Sequence, residues 1–392
     1  FFIKRGRSFH MTGVYINTYS AVSNLGDDIS SMFFNAIDIN SNFLTLDDTV
    51  IKGEPFYFGE IKTSLPKIND EKYNTRCNSI LLHCFETVEN EIKTALKKYD
   101  KSRVGVVIAS TNSGVNEYAL RGDVDLAQIG NPAAFLRKYL GLTGFFCGIS
   151  SACTSGIKAF STARRLLSHD VCDAVVVGGV DSVSRTPVYG FHSLEILSSE
   201  QTIPFSKNRN GINIGEGGAL FLLEKEKASD NSIKLCGIGE TSDAYHCATP
   251  EPAGTQASRA IEFALDDSGL DRGDIDYINL HGTGTVTNDL MEANAVFRIF
   301  GGSVPASSTK SQTGHCLGAS AAIEAALCCA MLDKSLNTER YLLPHRYDNV
   351  YDDKLPALSL VKYGQRADNI KYVMNNAFGF GGSNAVMILG SD

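Results

Sequence analysis

The sequence predicts an α/β protein made of two copies of one unit, and three recurrences along the chain carry that expectation. A GxGG turn running into an apolar strand occurs at 215–223 and returns at 379–389, 164 positions later. The apolar, β-branched run Val104–Ala109 has a counterpart at 276–281, 172 positions on. The small-residue stretch around Cys153, which opens an apolar helix, has one around His315, 162 positions on. Three matches in the same order at near-constant offset indicate duplication. Strands alternating with helices imply a largely parallel sheet in each copy. A pseudo-twofold axis between the copies would bring Cys153 and His315 together, each at the start of its half's central helix. The chain divides accordingly into an extension at 1–10, an N-terminal half at 11–230 and a C-terminal half at 231–392.

Composition narrows the class. With 392 residues, 43% hydrophobic and 20% charged, the chain has enough material for two core-bearing units. A net charge of −8 leaves no basic excess to neutralise phosphates, which argues against broad nucleic-acid binding. No apolar stretch approaches the ~20 residues of a membrane span. The first ten residues are basic but lack the apolar core and cleavage site of a signal peptide, so they read as an extension, with translation starting at Met11. The ten cysteines form no CxxC pair and no zinc spacing with histidine, so no metal site is expected. This is reduced usage, and a cytoplasmic location is expected.

In chain order, 12–16 looks like a first strand and 23–28 carries turn and cap chemistry, while the stretch up to Pro66 gives no assignable pattern. A helix is expected over 78–98, then a strand buried on both faces at Val104–Ala109. Ser150-Ser151-Ala152-Cys153-Thr154-Ser155-Gly156 precedes apolar residues at helical spacing, namely Ile157, Phe160, Ala163, Leu166 and Leu167. A second buried strand at 174–177 is expected to end in Gly178-Gly179. His281 stands just past the end of a buried strand, on a loop loosened by Gly282 and Gly284. Lys310 and His315 precede a helix running to about Leu332.

The chemistry gathers at these element ends. A cysteine at a helix start is a candidate nucleophile, because unpaired amides and the macrodipole favour thiolate. The opposing reading is that cysteine is commonly buried filler, and that His281 is a satisfied structural histidine. Glu324, set among alanines, must reach solvent or be paired, with Lys310 or a bound cation as its partner. One cysteine with two histidines suits carbon–carbon bond formation on thioesters better than proteolysis, which needs one histidine and an orienting Asn or Asp.

Six motifs carry a resemblance: SSACTSG at 150–156, VVVGGVDSV at 175–183, PFSKNRNGINIGEGGA at 204–219, LHGTGT at 280–285, STKSQTGHCLGA at 308–319 and NAFGFGGSNA at 376–385. Through them the chain resembles the β-ketoacyl-acyl-carrier-protein synthases of the thiolase superfamily, over about 14–389. The resemblance implies a thiolase fold of five αβαβα layers, acting as a dimer that joins an acyl chain to malonyl-carrier protein with loss of carbon dioxide. It implies Cys153 as the acylated nucleophile, His281 and His315 as the groups stabilising the enolate, and the amides of Cys153 and Phe380 as the oxyanion hole. Lys310 would orient the site, with Glu324. Thr283 and Thr285 would hold the phosphopantetheine arm of the carrier protein, which is substrate rather than a tightly bound cofactor. Phe380 would be the gate, and Arg209 would lie near the docked carrier protein. The region between Asn112 and Cys147 is shorter than in the fatty-acid enzymes. Together with 163–183, 204–223 and 242–254 it resembles the ketosynthases of aryl polyene clusters, which work beside a chain-length-factor-like homologue. Homodimer and heterodimer both stay open. The alternatives are a housekeeping fatty-acid ketosynthase, a non-catalytic chain-length-factor-like subunit, or a degradative thiolase, whose Cys-His-Cys set the two histidines do not match.

Overall fold

The computed structural model describes residues 13–38 and 40–391. The extension at 1–10 and the start at Met11 lie outside the described residues. Among the described residues the main sheet has eleven strands, of which ten form the frame. In the first half these are β1 (Tyr15–Ser23), β2 (Val104–Ala109), β3 (Phe146–Ile149), β4 (Ala174–Asp181) and β5 (Gly217–Glu224). In the second they are β6 (Ile233–Ser242), β7 (Tyr277–Asn279), β8 (Pro305–Ser307), β9 (Tyr372–Gly379) and β10 (Ser383–Gly390). The first half runs β3-β2-β4-β5-β1 across the sheet and the second β8-β7-β9-β10-β6. These strands therefore have matching neighbours in both copies, except that β8 also pairs with an edge strand, Ser359–Leu360, that has no counterpart beside β3. The directions repeat as well: β3-β2-β4 and β8-β7-β9 are parallel, and β5 and β10 run antiparallel to both of their neighbours. The halves join edge to edge where Tyr15 pairs with Lys234 and Ile16 with Ile233.

Helices complete five layers. α1 (Arg76–Glu86) and α2 (Asn131–Tyr139) cover one outer face, and α4 (Thr255–Ser268) and α5 (Val286–Phe300) the other, while α3 (Ser155–Ser168) and α6 (Ser320–Leu332) lie between the two halves of the sheet. The period-2 alternation of a strand is visible in β2, where Val107 and Ala109 join the central core and Val106 and Ile108 the outer one. Both sets are apolar, which is why β2 reads as an unbroken run. Every residue of α6 is buried, as expected of a helix that is apolar all round. α3 and α6 touch at Gly156, where a Cβ would stand 2.6 Å from the amide nitrogen of Ala322.

The structure corrects two local expectations and fills one stretch that the sequence left unassigned. The helix expected over 78–98 is two helices, Arg76–Glu86 and Glu89–Leu96. Val88 leaves helical conformation at φ −131°, and Thr87 Oγ1 donates to the Cys84 carbonyl at 2.9 Å. Strand β4 does not end at Gly178-Gly179 but continues to Asp181. A Cβ at Gly178 would meet the Ala219 carbonyl oxygen at 2.2 Å, so this glycine serves a close approach inside the strand. The unassigned stretch holds a helix, Ile29–Ile37, with an Asp28–Ser31 capping box, and the paired strands Thr45–Asp47 and Phe56–Gly59. Among the described residues no helix is long and apolar enough to cross a membrane.

Candidate active site

Cys153 sits two residues before α3, on a turn where Ala152 takes φ +53°, a conformation that costs a non-glycine residue energy. Local hydroxyls hold the turn. Ser155 Oγ accepts from the Ser151 amide at 2.8 Å and donates to the Ala152 carbonyl at 2.5 Å, and Thr154 Oγ1 donates to the Ser151 carbonyl at 2.7 Å. The end of β9 packs against this turn, since a Cβ on Gly379 would lie 3.1 Å from the Cys153 amide nitrogen. The small residues of the motif thus build a tight turn and admit a second chain segment beside it.

The second half brings both histidines to the sulfur. His315 lies between a short helix, Lys310–Thr313, and α6, and its Nε2 is 3.0 Å from Cys153 Sγ. Its backbone is clamped by the first half, with its N–H donating to Asn213 O at 2.7 Å and its carbonyl accepting from the Gly215 amide at 3.0 Å. His281 stands two residues beyond β7, its ring centroid 5.4 Å from that of His315 at an interplanar angle of 83°. The amides of His281 and Gly282 each donate to a different oxygen of Glu292 at 2.7 Å, tying the loop to α5. Lys310 and Glu324 form an ion pair buried behind the site.

The electrostatics differ from the expected thiolate. Burial pushes the Cys153 thiol up to about 11, outweighing the Lys310 ammonium and the amides of Cys153 and Phe380, all of which favour the anion. Position at a helix start does not offset that loss of water. Burial holds His281 well below the usual imidazole range, with Lys310 and then His315 adding to the effect. His315 is lowered in the same way by burial and then Lys310. Both rings are neutral near pH 7. Cys153, His281 and His315 also place three donor atoms within 4.8 Å of one another, a set that soft divalent cations bind. An ion held there would occupy the three side chains that the sequence marks as candidates for catalysis.

Two cavities meet at the sulfur. One, of about 260 Å³, is lined by Cys153, His281, His315, Thr283 and Thr285. The other, of about 300 Å³, runs from Cys153 past Thr111, Val115, Ile129 and Leu317. Phe380 and Phe191 line both, with ring centroids 5.5 Å apart, and so stand between them. Family models for the N-terminal and C-terminal domains of beta-ketoacyl synthase match residues 71–228 and 233–339. The chain belongs to the β-ketoacyl synthase family.

The likeness of this synthase to other members extends over its length. It is 27% identical to 3-oxoacyl-[acyl-carrier-protein] synthase 2 of Staphylococcus aureus strain COL, over 96% of this chain and 97% of that one. Among solved structures it is similar to the complex of the ketosynthase ApeO with its chain length factor ApeC from Xenorhabdus doucetiae. There the identity is 33% and the TM-score 0.89, covering 99% of this chain and 100% of the matched one. A beta-ketoacyl synthase from Burkholderia phymatum STM815 shares the fold, with a TM-score of 0.84 at 24% identity, over 97% and 100% of the two chains. The synthase is a condensing acyltransferase.

Of the residues anticipated from sequence, Cys153, His281, His315, Thr283, Thr285 and Phe380 all line one cavity, and Lys310 lies behind it. Arg209 lies in a loop of the first half. Its side chain is buried, donating from Nη1 to Asp352 at 2.6 Å and to the Ser206 carbonyl at 2.7 Å, so it braces that loop. Sequence reasoning missed the carboxylates that hold the site's loops. Glu292 is pushed up to about 7 and Asp289 to about 6, in each case by burial against opposing amide donors. Asp181 accepts from Ser110, Thr111, Asn112 and, across the halves, the Gly318 amide at 2.8 Å. Asp181 and Glu292 carry the signal that singled out Glu324, an acid within a run of small or apolar residues, whereas Asp289 follows Thr287 and Asn288.

The buried ion pair makes a stability prediction. Burial raises the Glu324 carboxyl above its usual range, Lys310 opposes that rise through Oε1, and Glu324 Oε2 has no hydrogen-bond partner. Lys310→Met strands this acid and should destabilise the synthase by about 3–5 kcal/mol. The double variant Lys310→Met/Glu324→Leu should recover most of that loss. Urea midpoints at neutral pH measure both, and equal midpoints for the single and double variants would contradict the coupling.

Proposed function

We propose that the synthase carries an acyl chain on Cys153 and joins it to a malonyl group delivered by acyl carrier protein, elongating a conjugated chain of the aryl polyene type. The observation that carries the reading is the 3.0 Å contact between Cys153 Sγ and His315 Nε2 at the meeting point of two cavities. One cavity suits the phosphopantetheine arm, with the hydroxyls of Thr283 and Thr285 along it. The other suits the acyl chain. In the first step the Cys153 sulfur attacks the acyl thioester carbonyl, the amides of Cys153 and Phe380 stabilise the oxyanion, and the carrier thiol leaves with the proton. In the second, N–H groups of His281 and His315 bind the malonyl thioester oxygen. The bond to the carboxylate breaks, carbon dioxide departs, and the electron pair forms an enolate. Its carbon attacks the acyl group, and the Cys153 thiolate is released.

The polyene substrate is supported by the likeness to ApeO over the full chain, which exceeds that to the Staphylococcus aureus enzyme. A non-catalytic subunit would not need Cys153 beside two neutral histidines. For the dimer, the sheet ends at β3 with Phe145, Phe146, Leu120 and Val124 exposed nearby, an edge suited to pairing with a second chain. A chain-length-factor-like partner is favoured over a second copy by ApeO's own complex. The reaction belongs in the cytoplasm, in keeping with ten free cysteines. The test is to co-express the synthase with its gene neighbours and identify the group on Cys153 by mass spectrometry. A polyenoyl adduct is expected. Saturated fatty acyl groups alone would instead mark a housekeeping enzyme.

A further inference from the structure

Ser320 is an unexplained polar residue in the central helix. It is the first residue of α6, is 3% exposed, and sits between Ala319 and Ala321. The N-cap position of α6 belongs to Ala319, so the Ser320 hydroxyl is one residue past the place where it would cap a backbone amide, and α6 has no side-chain cap. Alanine would be the better helix former here. The Ser320 hydroxyl instead meets one group, His315 Nδ1, at 2.8 Å.

We infer that Ser320 is a positioning residue that fixes the tautomer of His315, so that the ring presents an N–H and not a lone pair to the reacting atoms. The argument is one of satisfied donors. Among the described residues the hydroxyl has no other acceptor, so its proton goes to Nδ1, and the ring proton then resides on Nε2, 3.0 Å from Cys153 Sγ. The opposite tautomer would send Nδ1–H to Oγ and leave a buried hydroxyl proton unpaired, a costly arrangement. The thiol proton is the cheaper one to leave without a partner, because S–H is a weak donor. His281 is held differently, for its Nδ1 is buried with no hydrogen-bond partner. The two histidines are therefore not equivalent. His315 is a committed donor, whereas no hydrogen bond at Nδ1 fixes the tautomer of His281.

The catalytic consequence rests on the condensation reaction proposed above, but the tautomer does not. Nitrogen-15 NMR of histidine-labelled synthase, with His315 assigned by its loss in His315→Gln, should show an unprotonated Nδ1 and a protonated Nε2. In Ser320→Ala the His315 signals should move towards a mixture of tautomers. Condensation kcat should fall about tenfold, as for one lost hydrogen bond to a developing charge, with a smaller change in KM. The thermal midpoint should not fall, since alanine suits the helix. A protonated Nδ1 in the unsubstituted synthase, or identical His315 signals in Ser320→Ala, would overturn the inference. If the tautomer is as stated but the synthase never condenses the two thioesters, the condensation reading fails and Ser320 keeps its role.

Discussion

Cys153→Ala should abolish acyl loading and reduce condensation to background while leaving the synthase folded. Every carbon–carbon bond formed in the proposed cycle requires the acyl group on this sulfur, and no other cysteine lines either cavity. The substitution removes one atom from a turn held by Ser151, Thr154 and Ser155, so the frame should persist. Intact-protein mass spectrometry after incubation with acyl carrier protein measures loading. Adduct formation on Cys153→Ala would refute the assignment. The pH dependence separates two origins of reactivity. With the thiol at about 11, alkylation by iodoacetamide should rise roughly tenfold per pH unit from neutrality to about pH 10 and level off near 11. A rate already level at pH 7 would mean that the helix start and Lys310 do outweigh burial.

That contrast marks where sequence stops informing structure. The duplication is legible because the same physical demands recur in each half: a GxGG turn before an antiparallel strand, a run buried on both faces, and small residues where a helix starts against another segment. Gly156 shows why such residues survive, for only a hydrogen fits against Ala322. The set Cys153, His281 and His315 is legible because each residue stands at an element end on matching sides of the two copies. What is hidden depends on tertiary depth. The proton affinity of Cys153 is set by how much water the fold excludes, and a local helix signal is silent about that. Glu292 binds the amides of His281 and Gly282, and a contact from a side chain to a backbone amide has no sequence partner to reveal it. Arg209 likewise carries no sign in the sequence of the Asp352 and Asp289 carboxylates that surround it.

His281→Ala and His315→Ala should each leave Cys153 able to accept an acyl chain while lowering condensation by about 10²–10³-fold, the usual loss for one oxyanion donor. The split follows from geometry. The amides of Cys153 and Phe380 face the sulfur, where acyl transfer happens, whereas the two rings lie at 83° to each other on the side of Thr283 and Thr285, where the malonyl thioester would enter. His315 touches the sulfur directly, so its removal should slow loading more than removal of His281 does. Asparagine at either position keeps an N–H donor and should retain more condensation than alanine. The two effects should not add in the double variant, because both donors serve one oxygen. Release of carbon dioxide from labelled malonyl-carrier protein, followed alongside acyl loading, reads the two steps separately. Normal condensation in either alanine variant, or complete loss of loading in His281→Ala, would dissolve the division of labour between the cysteine of one half and the histidines of the other.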